Sequence, residues 1–299
     1  MDAAVLRTPE DRSAAMIPYF SQPHFSLGPV GIHLFGVLVA IGILAGLRLM
    51  RWRAVRLGLD VAVVERLGVW VVLGGFAGAH LVDRLVYFPE ETWADPWSLL
   101  RFWQGISSFG GFGGGVVAAA LFVKRRGAHK WAYLDLIAFA LPVGWFFGRT
   151  GCFVAFDHPG LSTSFFLGQR YTDGLVRHNL GLYEALFTLP MALFFLWLGR
   201  DGARRPAFFS GLLATVYAPI RFFLDFLRLD DIRYFHLTPG QYGSMLLFVV
   251  GLALLLRPPR PAGEPILSVD AGDVGERSEG DEDRLLLRCF RGFDVENDG

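Results

Sequence analysis

Residues 132–156 read AYLDLIAFALPVGWFFGRTGCFVAF, an apolar run interrupted by one acid, Asp135, and one base, Arg149. A bilayer-spanning helix needs about 20 mostly apolar residues, because lipid offers no partners to unpaired backbone amides. This stretch meets that requirement and would be out of place as a surface helix of a soluble domain. Six further runs of the same kind lie on either side of it. They cover Val30–Leu47, Val61–Tyr87, Ser107–Val123, Leu182–Leu198, Ala207–Leu227 and Gln241–Leu256. The sequence therefore predicts an all-α integral membrane protein with seven transmembrane helices. Composition agrees: 53% of the 299 residues are hydrophobic and mean hydropathy is +0.40. Basic and acidic residues balance at 28 each, which gives no basic excess for nucleic acid to read. Only two cysteines occur, Cys152 and Cys289, too few for a disulfide scaffold or a cysteine-rich metal centre.

The connectors set the expected orientation. Segments after spans one, three, five and seven (48–59, 124–130, 200–205 and 257–260) hold 13 basic residues in 29 positions, whereas those on the other side hold 7 in 83. Lys and Arg accumulate on the cytoplasmic side, so the N-terminus is expected outside and the C-terminus inside. Three regions follow: an extracytoplasmic segment, 1–29; a seven-helix domain, 30–257; and a cytoplasmic tail, 258–299. The tail contains VDAGDVGERSEGDEDR, acidic and poor in large apolar residues, and reads as mostly disordered.

Charges inside a span are costly unless they pair or face water, so each marks a candidate site. In this orientation His80, Asp83, Arg84, Arg149, Glu184, Arg221 and Asp225 all fall in the outer half of the bundle. A transport pathway would distribute such groups through the full depth. Tyr217, Arg221 and Asp225 are spaced by four and share one helical face. An Arg221–Asp225 pair taken alone would be an ordinary ion pair between or along helices. Arg149 at similar depth adds positive charge beyond what Asp225 cancels. Two guanidiniums there suit a lipid phosphodiester, whose oxygens their planar forks bind bidentately. The run SSFGGFGGG, Ser107–Gly115, admits two readings: Gly110 and Gly111 bring backbone close to an anionic substrate, or the glycines serve close helix packing.

The segment GRTGCFVAFDHPG, Gly148–Gly160, resembles the signature of the bacterial prolipoprotein diacylglyceryl transferases. Gly148, Arg149, Gly151, Phe153, Val154 and Gly160 match it, while Asp157 stands for a glutamate and Cys152 and Ala155 for two asparagines. LGPVGIHLFG (Leu27–Gly36), WQGISSFGG (Trp103–Gly111), RHNLGLYE (Arg177–Glu184) and LTPGQYGS (Leu237–Ser244) resemble the family's segments opening spans one, three, five and seven. Tyr217, Arg221 and Asp225 fall on its tyrosine, arginine and glutamate in span six. The resemblance covers roughly residues 25–257. It implies a multi-pass enzyme of the bacterial inner membrane that moves a diacylglyceryl group from phosphatidylglycerol to the lipobox cysteine of a prolipoprotein signal peptide. It further implies that the protein works among membrane lipids, without nucleic acid, metal or soluble cofactor. Arg149 and Arg221 would hold the phosphodiester, with Tyr217 and Asp225 orienting Arg221. Asp157, Glu184 and His80 join Gly110 and Gly111 as expected substrate-site residues.

Two departures bear on the proton acceptor. Phe109 stands where many family members carry a histidine, and Phe35 replaces a tyrosine. Phenylalanine accepts no proton, so His158, His178 and His80, in that order, are the replacement bases. Alternatively, the substrate thiol ionises beside Arg149 with no protein base. Cys152, one turn from Arg149, reads either as a compact buried residue or as a reactive thiol. A relative that keeps the fold and binds phospholipid or lipoprotein without turnover is the competing functional reading.

Overall fold

The computed structural model describes residues 17–22, 24–27, 30–101, 105, 107–124, 130–202, 204–229 and 233–257. The expected extracytoplasmic segment up to residue 16 and the tail from 258, with Cys289, lie outside the described residues. Two short strands, β1 (His24–Leu27) and β2 (Val30–His33), form an antiparallel pair ahead of the first helix, α1 (Leu34–Arg56). There follow α2 (Val61–Val82), continued by a π-helical turn over Asp83–Tyr87, and the short α3 (Pro89–Ala94) with a 3₁₀ turn over Pro96–Leu100. The chain then forms α4 (Ser108–Lys124) and α5 (Lys130–Ala155), and a three-stranded sheet of β3 (Pro159–Ser162), β4 (Gln169–Arg170) and β5 (Val176–Asn179). It ends in α6 (Leu180–Leu198), α7 (Phe208–Leu224) and α8 (Pro239–Leu256).

Among the described residues six helices are long and apolar enough to cross a membrane: Leu34–Arg56, Val61–Tyr87, Lys130–Ala155, Leu180–Leu198, Phe208–Leu227 and Pro239–Leu256. Their surfaces carry fully apolar side chains such as Leu44, Leu193, Leu246 and Leu256, each at least 60% exposed. Surface of that kind suits acyl chains, and the chain is a multi-pass membrane protein. The third expected span is helical and apolar but short. At about 1.5 Å per residue its 17 residues reach about 26 Å, below the ~30 Å hydrocarbon thickness. The first expected span also shifts. Val30–His33 pairs with His24–Leu27 instead of entering the helix, and α1 then runs past the apolar run to Arg56.

The helices associate in pairs, α2 along α4, α1 along α5, α5 along α6, and α7 along α8. Glycine decides two of these contacts. A Cβ on Gly78 would lie 2.7 Å from the Gly114 Cα, so Gly74, Gly78, Gly110 and Gly114 let α2 and α4 touch backbone to backbone. A Cβ on Gly42 would sit 2.8 Å from the Gly144 carbonyl, which joins α1 to α5 in the same way. One end of the bundle is fastened by Arg53, whose guanidinium lies over the rings of Phe139 and Phe209 and donates to the Gly199 carbonyl at 2.8 Å. There Asp135 accepts from both the backbone and the hydroxyl of Ser210, at 2.9 and 2.7 Å, and so ties α5 to the first turn of α7. The opposite end carries the β3–β5–β4 sheet.

That sheet was not anticipated from sequence. Its strands are too short and polar to show periodicity, and its buried side chains are the amides of Gln169 and Asn179. Asn179 accepts from Leu182 N at 3.0 Å as the N-cap of α6 and donates to the Phe153 carbonyl at 3.3 Å and to the Gln169 side chain. Gln169 and Asn179 are both fully buried. With Gly181 packed directly on the Cys152–Phe153 backbone, these bonds set the start of α6 against the last turn of α5.

Candidate active site

At the sheet end, α5, α6 and α7 each present ionisable groups to a common centre. Glu184, in the first turns of α6, is 1% exposed, and its carboxylate lies between two guanidiniums. Arg149 of α5 meets it through Nε at 2.9 Å from Oε2, and Arg221 of α7 approaches Oε1 at 3.5 Å. The Tyr217 hydroxyl donates to Oε2 at 2.9 Å. Arg221 also reaches Asp225 at 2.6 Å, the i, i+4 pair that the helical spacing predicts. Asp225 in turn accepts from the Thr238 hydroxyl at 2.6 Å. Thr238 opens α8 through a reciprocal capping box with Gln241, so the helix start itself holds the carboxylate. Gly240 is required here, because any Cβ would run into Asp225. The Trp145 ring packs on Tyr217 with centroids 4.3 Å apart.

The expectation of excess positive charge needs correction. Arg149 and Arg221 are matched by Glu184 and Asp225, so the four groups are neutral together. Glu184, expected among substrate contacts, is the shared anchor of both arginines. Binding through Nε, with Nη1 directed to Cys152 Sγ at 4.0 Å, leaves Nη2 of Arg149 for a further acceptor, and the two arginine side chains keep 18% and 21% exposure. The result is a pair of oriented forks, immobilised by buried carboxylates, with donors left over for an anion.

The chain leaving α5 brings more groups to the same place. Phe156 takes a left-handed conformation, φ 57°, rare for a bulky residue. This turns Asp157 back so that its N–H donates to the Cys152 carbonyl at 3.2 Å. His158 follows, its carbonyl accepting from Leu180 N and its Nε2 lying 3.9 Å from the Asp157 carboxylate. One donor atom each from Cys152, Asp157 and His158 lies within 4.8 Å of the other two, a cluster able to hold a metal ion. Cys152 is buried, 5% exposed, with its Sγ 4.0 Å from Arg149 Nη1. Burial holds the His158 imidazole below its usual pKa, and the nearby Arg149 charge adds to that. The ring is therefore neutral near pH 7.

The other expected residues separate from this centre. His178, on β5, bonds the Tyr183 hydroxyl through Nδ1 at 2.8 Å, and burial alone lowers its pKa. His80 is 1% exposed on α2, its Nε2 3.2 Å from the Leu99 carbonyl. Asp83 beside it pairs with Arg84 at 2.8 Å. Gly110 is packed against Gly78 and Val82, so close helix packing accounts for it; Gly111 faces Ala79 and Gly75 at 3.5–3.6 Å. Phe109 lies in α4 with its side chain outside the described residues. Phe35 packs over Gly151. Sequence reasoning missed Asn179, Gln169, Trp145 and Thr238 as supports. Two carried a local signal: Thr238, the T-x-x-Q spacing of a capping box, and Asn179, a favoured N-cap residue directly before an apolar run.

The cluster lies within the region matched by a family model described as prolipoprotein diacylglyceryl transferase, residues 22–257. Similar curated proteins carry the name phosphatidylglycerol–prolipoprotein diacylglyceryl transferase. One from Solidesulfovibrio magneticus is 34% identical over 252 residues, covering 80% of this chain and 95% of the relative. Another from Xanthomonas oryzae pv. oryzae is 31% identical over 280 residues, covering 83% and 95%. A third, from Campylobacter lari, is 28% identical over 246 residues, covering 77% and 90%. With most of its length matched by the family and by relatives above 30% identity, this chain belongs to the prolipoprotein diacylglyceryl transferase family.

Proposed function

We propose that this protein transfers the diacylglyceryl group of phosphatidylglycerol to the lipobox cysteine thiol of prolipoproteins, in the bacterial inner membrane. In this reading the chain crosses the bilayer seven times, with the short α4 carried by its backbone-close partner α2, the N-terminus outside and the C-terminal tail inside. The sheet end then faces outward, level with the outer headgroups. The observation that carries the reading is the sharing of the buried Glu184 by Arg149 and Arg221, which orients two guanidinium forks toward one place.

Transfer forms a bond between the substrate sulfur and the glyceryl carbon and breaks that carbon's bond to the phosphate oxygen. Glycerol phosphate leaves. Charge builds on the departing phosphate, and donors fixed in advance stabilise it without reorganising. Arg149 and Arg221 supply those donors; Glu184, Tyr217, Asp225 and Thr238 hold them. The thiol proton goes to His158, neutral at working pH and electrostatically within range of Arg149. His178, bonded to Tyr183, supports the sheet that carries His158's neighbours. Asp157 borders the substrate, while Gly110, Gly111 and His80 shape the helix pair behind it. The phosphate leaves once its charge is met, so the reaction draws on no metal or soluble cofactor.

The test is transfer from phosphatidylglycerol to a lipobox peptide by Arg149→Ala and Arg221→Ala proteins in detergent or nanodiscs. Each should insert and fold yet lose transfer by at least 10²-fold, the size typical of a lost charge-stabilising donor. Wild-type rates in both would remove the clamp, and the reading with it.

A further inference from the structure

The segment closing α5 carries a second chemistry that the transfer reaction does not need. Cys152, Asp157 and His158 offer sulfur, oxygen and nitrogen within 4.8 Å of one another. They meet because of a strained turn: Phe156 adopts φ 57°, and Asp157 N–H closes back onto the Cys152 carbonyl. Non-glycine residues in that region cost of order 1–3 kcal/mol and persist where the surroundings impose them. Without this turn, residues 157 and 158 would leave along the helix axis, away from Cys152.

We propose that Cys152 Sγ, the Asp157 carboxylate and the His158 imidazole bind a divalent transition-metal ion of the zinc class, and that binding withdraws His158 from the transfer reaction. The second half rests on the transferase reading; the first does not. Sulfur and imidazole select borderline-soft ions over magnesium or calcium, which prefer all-oxygen shells. In a tetrahedral zinc site, bonds of about 2.0–2.3 Å place donors roughly 3.3–3.7 Å apart. The His158–Asp157 distance is already 3.9 Å, and with all three donors within 4.8 Å a contraction of up to about 1.5 Å completes the set. The half-exposed Asp157 side chain has the freedom to supply it. Binding displaces the thiol proton, and the thiolate and carboxylate then balance the ion's two charges. Arg149 Nη1, which already donates to Sγ at 4.0 Å, stays as a hydrogen-bond donor to the metal thiolate, an outer-shell arrangement.

The experiment uses the tag-free full-length protein in phosphatidylglycerol-free nanodiscs. It is dialysed against zinc chloride, and bound metal is counted per chain; a cobalt-loaded sample is scanned for the thiolate-to-cobalt charge-transfer band. The expected result is one ion per chain and a clear cobalt–thiolate band. Cys152→Ser and His158→Gln should each lose at least tenfold in zinc affinity, with unchanged thermal unfolding of the metal-free proteins. Cys289→Ser, which removes the other cysteine, should bind as wild type. Absence of bound zinc, or equal binding by Cys152→Ser, overturns the site. Transfer to a lipobox peptide, measured over the same zinc range in nanodiscs that contain phosphatidylglycerol, should fall with the binding midpoint in wild type and persist in Cys152→Ser. Zinc bound with transfer unaffected overturns the proposed withdrawal of His158. Zinc binding in a protein that transfers nothing at any zinc level supports the site and overturns the transferase reading.

Discussion

Replacing Glu184 by glutamine keeps the side chain's size and deletes one charge at the point where three helices meet. In the native cluster Glu184 receives Arg149 Nε at 2.9 Å, the Tyr217 hydroxyl at 2.9 Å and Arg221 Nη1 at 3.5 Å. The amide can still accept one of these, but its NH2 faces a remaining donor, and the cluster passes from neutral to one uncompensated positive charge. A lost charge-assisted hydrogen bond is worth about 1.5–3 kcal/mol, and breaking a fully buried pair costs about 3–5 kcal/mol. Because the two arginines retain some exposure, the lower range applies to Glu184→Gln stability. Spread over the transition state, the same 1.5–3 kcal/mol corresponds to roughly 10- to 150-fold in rate. The kinetic signature is specific. Freed of a competing carboxylate, the guanidiniums should bind phosphatidylglycerol at least as well, so kcat falls while KM for the lipid stays or drops. Steady-state transfer with varied phosphatidylglycerol, together with thermal unfolding in the same detergent, makes the measurement. A kcat within twofold of wild type and an unchanged unfolding temperature would refute the idea that Glu184 organises the two arginines.

Other expectations follow from the same geometry. Arg149→Lys keeps the charge but not the fork; three donors on one nitrogen cannot hold Glu184 through one edge and present a bidentate edge to a phosphate, so kcat/KM for transfer should fall by roughly 10- to 100-fold. His158 has its pKa depressed by burial, then by Arg149, so the base form persists below the ordinary histidine value. The acid limb of the transfer rate should therefore have its midpoint below about pH 6.5, and His158→Gln should remove the limb and lower the plateau by about 10²-fold. The linked stability has the same sign: it is fully present above about pH 6.5 and is lost as pH falls through the lower folded-state value. Gly78→Ala would drive a Cβ to 2.7 Å from Gly114 Cα and closer still to the Gly110 carbonyl, costing about 1–3 kcal/mol in unfolding experiments, with lipid binding per folded molecule unchanged.

What the sequence revealed depended on how local each determinant is. Arg221 and Asp225 were legible as a pair because i, i+4 spacing on a helix guarantees proximity, and the structure has them 2.6 Å apart. Glu184 was visible as a charge near a helix start but not as the group between two arginines, since that depends on how α5, α6 and α7 meet. The glycines of Ser107–Gly115 left two readings open; their packing partners, Gly74 and Gly78, repeat at the same four-residue interval on α2. Apolar periodicity located the spans but misplaced the start of α1, because Val30–His33 is apolar enough for a helix and its strand partner supplies the competing hydrogen bonds. The sheet of β3, β4 and β5 escaped notice for a related reason. Gln169 and Asn179 are buried by each other and by the Phe153 carbonyl, a long-range solution that no window of sequence displays. His158 ranked first among the replacement bases on proximity in sequence to Arg149, and the left-handed Phe156 explains why that proximity survives past the end of the helix.

The central claim is that this chain alkylates a prolipoprotein thiol with the diacylglyceryl group of phosphatidylglycerol, and intact mass measures it directly. Purified protein is incubated with phosphatidylglycerol and either a lipobox peptide or its cysteine-to-serine counterpart. The account predicts a mass gain equal to one diacylglyceryl group on the cysteine peptide alone, with glycerol phosphate released in equal amount. No product from protein that is folded and binds phosphatidylglycerol would contradict it, and a lipid-binding relative without turnover would then describe the molecule.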